Sequence, residues 1–564
     1  MTLLNGICLL IFLLSSVCVE SRPAPPGCTL PPLLAATQSE LQNGLQLGCF
    51  SNVELVTAYI RRINEVNTKV NAVLEVNPDS LRIAEQLDIE RRQGRTRGPL
   101  HGLPILVKDL IGTDDLMETS AGSFALVGSK ASADATVVKK LRDSGAIILG
   151  KTSMSEWANT RSRRPSNGWN ARGGGQTYAA YHDQQDPLGS SSGSAVATDL
   201  SLTFASLGTE TSGSIILPSE KSNIVGIKPT VGLTSRYMAI PISERADTIG
   251  PMARTVRDAA MVLQAIVGQD EKDNYTMASP FSNNYPDYVA ACNLNGLEGK
   301  RIGIPRNVIE ALPSILGNAA RPIMSSVERA VAGIKKAGAI IIEDANFTAY
   351  DAYRISAAPA QVLAADMLSG LPKYLSALNS NPNNLQSLSD IRNFIQNSPD
   401  EDYPARDTDL WDMALLAGMD NTSPGVWPIY QQALYLGEEG GLLGALSRNN
   451  LDAVILPTQL AGDIPGILGS PVITVPFEAF PADISVKYNE RGDLVNAAPG
   501  IPLGLSFLGP KWSEESLIAM AYAFEQRTLS RGTLHRVVEP RTELKDVQDA
   551  LRNRTSCLPN YVKG

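Results

Sequence analysis

The chain has 564 residues, 43% hydrophobic and 19% charged, enough apolar material for a large buried core and not the composition of a disordered chain. Its formal net charge of -9 and pI near 5.2, with basic residues scattered rather than clustered, argue against nucleic acid as a partner. Only 3 histidines and no C-x-x-C pair leave a zinc site almost without ligands, so neither metal nor cofactor is expected.

The N-terminus, MTLLNGICLLIFLLSSVCVESRPAPPGC, carries an apolar run from Ile7 to Leu14, then small residues and a Pro-rich break. That order reads as a secretory signal peptide over residues 1–21, cleaved after Cys18 or Ser21, although a basic leading segment is missing. The run is too short for a stable membrane anchor, with an uncleaved anchor as the alternative. The expected location is therefore outside the cell or in the secretory pathway. Residues 22–38 follow as an N-terminal segment.

From Ser39 to about Glu65, apolar residues including Leu41, Leu45, Leu55, Tyr59 and Ile63 recur at helical spacing, which predicts two amphipathic helices. A further helix is predicted over Ser80 to Gln93. The apolar run LPILV then predicts a buried strand, Ile105 to Val107, with Lys108 at its end. Asp134 to Asp143 reads as a helix closed by Gly145 and followed by the strand Ala146 to Thr152. The alternation returns at Ser326 to Gly338 before AIIIED, and in LDAVILPT and SPVITVP. An α/β fold follows, with one large mixed sheet sandwiched by helices. Between about Tyr350 and Leu446 the chain turns to helical stretches and polar loops, a helical insertion that either shapes the substrate site as a lid or simply packs. The main domain is placed at 39–540, the insertion at 350–446 and a C-terminal tail at 541–564.

Removal of the leader leaves Cys28, Cys49, Cys292 and Cys557, which permit three pairings; Cys28 with Cys49 is favoured, and sequence does not select it. N-x-S/T triplets at Asn274, Asn346, Asn421 and Asn553 are candidate glycosylation sites and fit a secretory route.

The chemistry concentrates in PLGSSSGSA, Pro187 to Ala195. It contains G-x-S-x-G, the nucleophile-elbow pattern, with Ser191 as the attacking group and His535 as the histidine that follows in chain order. An elbow needs a buried strand before it, and ARGGGQTYAAYHDQQDPL is polar and Gly-rich. Serine chemistry without histidine needs another base, and a lysine serves if burial removes its proton. Lys108 has that setting; an ion pair with Asp109 is the competing role.

Three separated segments decide between these readings: HGLPILVKD (His101 to Asp109), DPLGSSSGSA (Asp186 to Ala195) and LGTETSGSIILPSEKSNIVGIKPTVGL (Leu207 to Leu233). Together they resemble the amidase signature family, over roughly Ser39 to Thr528, and within it SEWANTRS, GTETSGSI and KPTVGLTSR look most like peptide amidases and their secreted relatives. The resemblance implies a single α/β domain and hydrolysis of a carboxylic amide, such as a peptide C-terminal amide or small carboxamide. It implies Ser214 as nucleophile, Ser190 as the bridging serine after a cis peptide bond from Gly189, and Lys108 as base. The N–H groups of Thr211, Ser212, Gly213 and Ser214 are then the oxyanion donors, with Ser190 also at the substrate.

The physical logic stands without the family. An amide carbonyl is a poor electrophile, so its hydrolysis calls for an activated alkoxide, a stabilised oxyanion and a proton for the departing amine. Departures from the family pattern are Leu188, Ser192 and Ser212 where glycine is usual, Glu210 for aspartate and Ile216 for arginine. Donation by the amide at 212 survives a serine only where positive φ is not required. Two other readings compete with an amidase: an esterase built on Ser191 and His535, and a binding protein on the same scaffold without turnover. An amidotransferase component shares the signature, but the apparent signal peptide argues against that role.

Overall fold

A computed structural model describes residues 28–556 apart from 165 and 283, so the predicted signal peptide and Cys557 lie outside the described residues. Helices α1 (Gln38–Leu47) and α2 (Asn52–Val70) start where the predicted amphipathic pattern does. Each opens with a capping box: Thr37 and Glu40 exchange hydrogen bonds at α1, and Ser51 and Glu54 at α2. Each box satisfies N–H groups that the first helical turn leaves without partners. α1 stops at Gly48, whose φ of 70° lies in the left-handed region. That turn delivers Cys49 to Cys28, and the two form a disulfide, the favoured pairing; Cys292 is a buried free thiol.

The sheet has eleven strands: β1 (Val73–Val76), β2 (Pro104–Lys108), β3 (Ile147–Thr152), β4 (Ala205–Glu210), β5 (Val225–Lys228), β6 (Thr248–Ala253), β7 (Arg301–Gly303), β8 (Ile340–Ile342), β9 (Ala453–Pro457), β10 (Val472–Ala479) and β11 (Pro502–Leu508). Their spatial order is β1-β3-β2-β4-β6-β5-β10-β11-β9-β7-β8. β3, β2 and β4 run parallel, as do β9, β7 and β8, while the pairs from β4 through β6, β5, β10 and β11 to β9 are antiparallel. This is the mixed sheet that alternation of helix and strand predicts. β2 lies between two parallel neighbours and is buried at all five residues, which explains why it reads as a continuous apolar run rather than an alternating one.

Six further helices matter for the site: α3 (Ser192–Asp199), α4 (Ile216–Lys221), α5 (Ala358–Ser376), α6 (Asp409–Ala417), α7 (Val426–Gly437) and α8 (Asp463–Leu468). Helices α5, α6 and α7 fall in the predicted insertion, where α5 packs on both α6 and α7. The stretch expected as a tail carries a last helix, α9 (Leu544–Ser556), packed on α2 with Leu544 and Val547 fully buried. Those two buried side chains, with Leu551 packed against the core, give it a reason to dock, and Arg62 pairs with Glu543 just before it. Among the described residues no helix is long and apolar enough to cross a membrane.

Candidate active site

The strand end, the serine-rich turn and the loop after β4 meet at one point. Lys108 closes β2, and its Nζ donates to Ser190 Oγ at 2.7 Å, to Thr209 Oγ1 at 2.9 Å and to the Thr209 carbonyl at 3.2 Å. Thr209 thus takes two of the three ammonium hydrogens and aims the third position at Ser190. When the amine is neutral, that position holds the lone pair. Burial pulls the Lys108 pKa down to about 7, with Asp247 and Glu210 opposing the fall. Asp109 does not pair with it. Successive side chains alternate across a strand, and Asp109 instead accepts from Ser120 and from the amide of Gly122.

The peptide bond from Gly189 to Ser190 is cis, as the resemblance implies. Leu188, standing where glycine is usual, keeps a left-handed backbone with φ of 51°. Ser191 heads α3: its N–H donates to the Ser214 carbonyl at 3.1 Å and its Oγ to the Thr209 carbonyl at 3.1 Å. It is fully buried and ties the two serine segments together. His535 is exposed and hydrogen-bonds nothing among the described residues, and no strand of the large sheet leads into the turn, only the two-residue strands Trp169–Asn170 and Gly175–Gln176 of a separate ribbon lying before it. The elbow built on Ser191 and His535 is therefore overturned, because a nucleophile needs its base within hydrogen-bond reach.

Ser214 lies on the loop from β4 to α4 at the edge of a cavity of about 240 Å³. Its exposure is 9%, against 0% for Ser190 and Lys108, so it is the member of the three that faces the cavity. The walls are largely apolar and include Ile242 and, from the insertion, Leu363 and Met367 on α5 and Leu410 and Ala414 on α6. Ala158, Asn159 and Thr160 complete the rim.

Three acidic residues hold three consecutive residues of the loop before Ser214. Glu210 accepts from the amides of Gly213 at 2.9 Å, Ile215 at 2.6 Å and Ile216 at 3.0 Å. Asp247 accepts from Thr211 Oγ1 at 2.6 Å and from the amides of Ile242 and Ser243. Asp463 accepts from Ser212 Oγ at 2.7 Å. One expected donor is thereby corrected: a peptide N–H has a single proton, and that of Gly213 is committed to Glu210. The amides of Thr211, Ser212 and Ser214 have no hydrogen-bond partner among the described residues. Gly213 keeps a structural reason to be glycine, a φ of 77° and a Cβ position 2.6 Å from Leu217. Ser212 has no positive φ, so the serine there does not disturb its amide.

Sequence reasoning passed over Thr209, Asp247 and Asp463 and saw Glu210 only as a departure. A lone acid after a strand carries no signal of which amides will reach it. Of the candidate glycosylation sites, Asn274 is exposed, Asn346 is half-buried with its Oδ1 accepting from the Asn307 amide, and Asn421 Nδ2 donates to Glu244. The Asn553 side chain lies outside the described residues.

The family model described as Amidase matches residues 54–518. A protein of Arthroderma benhamiae named "Putative amidase" is 51% identical over 544 residues, covering 93% of this chain and 90% of that one. One subunit of the glutamyl-tRNA(Gln) amidotransferase of Salinispora tropica is 30% identical, covering 87% and 97%. The crystal structure of native peptide amidase from Stenotrophomonas maltophilia, 37% identical, superposes with a TM-score of 0.78 over 90% of this chain and 99% of that one.

Proposed function

The chain belongs to the amidase family and is a hydrolase of amide C–N bonds, and on that premise we propose that it is a secreted amidase acting on peptide C-terminal amides or small carboxamides through a Ser214 acyl-enzyme. The observation that carries the mechanism is the 2.7 Å contact between the buried Lys108 amine and Ser190 Oγ, beside a Ser214 that opens on the cavity. Neutral Lys108 takes the Ser190 proton as Ser190 takes that of Ser214, whose oxygen bonds to the amide carbon. The carbonyl electron pair moves onto oxygen, where the amides of Thr211, Ser212 and Ser214 receive it. Collapse breaks the C–N bond, and the proton returns from Lys108 through Ser190 to the leaving nitrogen. Water then repeats the cycle on the ester and releases the acid.

The peptide part of the proposal leans on the likeness to peptide amidase and on an apolar cavity large enough for a side chain. Ammonia release from a panel of amidated peptides, aliphatic amides and aryl amides tests it; hydrolysis of aryl amides with no turnover of amidated peptides would sink the peptide reading. Secretion is supported by the leader-like N-terminus and the Cys28–Cys49 disulfide. N-terminal sequencing of protein recovered from the medium of a eukaryotic host checks it, with a new terminus after Cys18 or Ser21 expected.

The pH dependence follows from the base. Lys108 acts only when neutral, so kcat/KM is expected to rise about tenfold per pH unit below the Lys108 pKa and to level above it. With that pKa at about 7, the inflection falls near neutrality. A profile already flat between pH values of about 5 and 7 would contradict a lysine base.

A further inference from the structure

Thr211 and Ser212, with Ala360 and Leu363, line both the cavity that holds Ser214 and an adjoining cavity of about 200 Å³. In that second cavity, which Tyr353 of the insertion also lines, Ser212 Oγ donates to Asp463 at the start of α8. Behind the loop α8 leaves no slack. A Cβ on Gly462 would come within 2.7 Å of the Gly213 nitrogen, and one on Gly466 within 2.7 Å of the Thr211 carbonyl oxygen. Backbone contact sets how close the loop sits, and beside the tie of Thr211 to Asp247 the Ser212 hydroxyl is the side-chain tie on the α8 side. Glycine, usual at this position, has no hydroxyl to make that tie, so it comes from this chain's own residues.

We propose that Asp463 is a positioning residue for amide hydrolysis: through the Ser212 hydroxyl it fixes the direction of the Ser212 amide, one of the oxyanion donors. The inference rests on the acyl-enzyme reading above. Its cost is an acid near developing negative charge, which by charge alone slows the reaction. The two effects have opposite signs, so substitution separates them. Asp463→Ala removes charge and tie together, whereas Asp463→Asn removes the charge and keeps an oxygen that accepts from Ser212.

Steady-state kinetics of the full chain on its best amide provide the test. Asp463→Ala is expected to lower kcat between about 10- and 100-fold with KM changed less than about twofold, since a misdirected donor is lost only in the transition state. Asp463→Asn is expected to retain a rate at or above that of the unsubstituted chain. Ser212→Ala, which loses the tie and keeps the charge, is expected to be at least as slow as Asp463→Ala, and the double variant to be no slower than Asp463→Ala, as for two halves of one interaction. The rate at which a fluorophosphonate phosphonylates Ser214 reads the same donors without amide turnover and should fall in parallel. A raised KM with unchanged kcat would make Asp463 a substrate contact and overturn the proposal, as would additive losses or an Asp463→Ala variant as fast as Asp463→Asn. A chain that the fluorophosphonate labels but that hydrolyses no amide refutes the proposed function alone, and the labelling rates still decide the role of Asp463.

Discussion

Ser214→Ala is expected to cut kcat/KM by about 10⁶-fold, and Lys108→Met, alone or combined with it, to leave no less residual activity than Ser214→Ala does, because a nucleophile and the relay that deprotonates it act as a unit. Methionine approximates the length and apolar body of lysine, so it fills the buried site at the end of β2 while deleting the one group that accepts the Ser190 proton. Burial makes the test sharp. Lys108 is fully buried and makes no ion pair, so its removal breaks none, although Asp247 and Glu210 lose the longer-range attraction of its charge. Thr209 loses a hydrogen-bond partner for its hydroxyl and carbonyl, a stability cost of about 1–3 kcal/mol that a thermal midpoint reads separately from kinetics. The matching control is His535→Ala, expected to change nothing, since the imidazole is exposed and bonded to no group of the site. Peptide mapping after fluorophosphonate treatment should place the label on Ser214 and leave Ser191 unmodified. Label on Ser191, or Lys108→Met retaining more than about a hundredth of the activity, would refute the assignment, since general-base catalysis alone accounts for about 10²–10⁴-fold.

Replacing Glu210 by glutamine is expected to cost about 3–5 kcal/mol of stability and at least about 100-fold in rate. The carboxylate accepts three amides with two oxygens, and the glutamine NH₂ would turn a donor toward N–H groups that are themselves donors. Burial pushes the Glu210 pKa up while Lys228 and the three amides pull it down, so the charged form depends on those partners. Lys228, itself buried with a pKa pulled down to about 8, loses the charge that most favours its ammonium. The rate falls because the Gly213 amide, released from Glu210, no longer fixes the turn that presents Ser214. Glu210→Asp, the acid usual at this position, keeps the charge but is one methylene shorter and is expected to fall between the two. A Glu210→Gln enzyme with an unchanged thermal midpoint and unchanged kcat would remove Glu210 from the machinery.

The element order was legible because helix and strand patterns are local. The boundaries of α1, α2, β2 and β3 follow from apolar spacing and capping residues within a few positions of each. Lys108 stood out for the same reason, as a charge at the end of a run that only a buried strand explains. The serine-rich block was legible as a block, but the first pattern it matched, G-x-S-x-G, pointed to Ser191, and only the missing strand before it and the resemblance moved attention to Ser190 and Ser214. The helix in the C-terminal tail was not legible because Leu544 and Val547, set among charges, do not look like a docking face until α2 is beside them.

Sequence alone determined the fold class, the family resemblance and the three residues that carry the proposed chemistry, since each rests on an ordered local motif. Tertiary structure decided what surrounds them. Ser190 reaches Lys108 across 82 positions and Ser212 reaches Asp463 across 251, separations set by strand order in the sheet and not by any spacing along the chain. The commitment of the Gly213 amide to Glu210 is equally invisible in the sequence, because a hydrogen bond depends on the direction of one N–H vector. Local periodicity specifies which face a residue occupies; only the packed sheet and its insertion specify what that face meets.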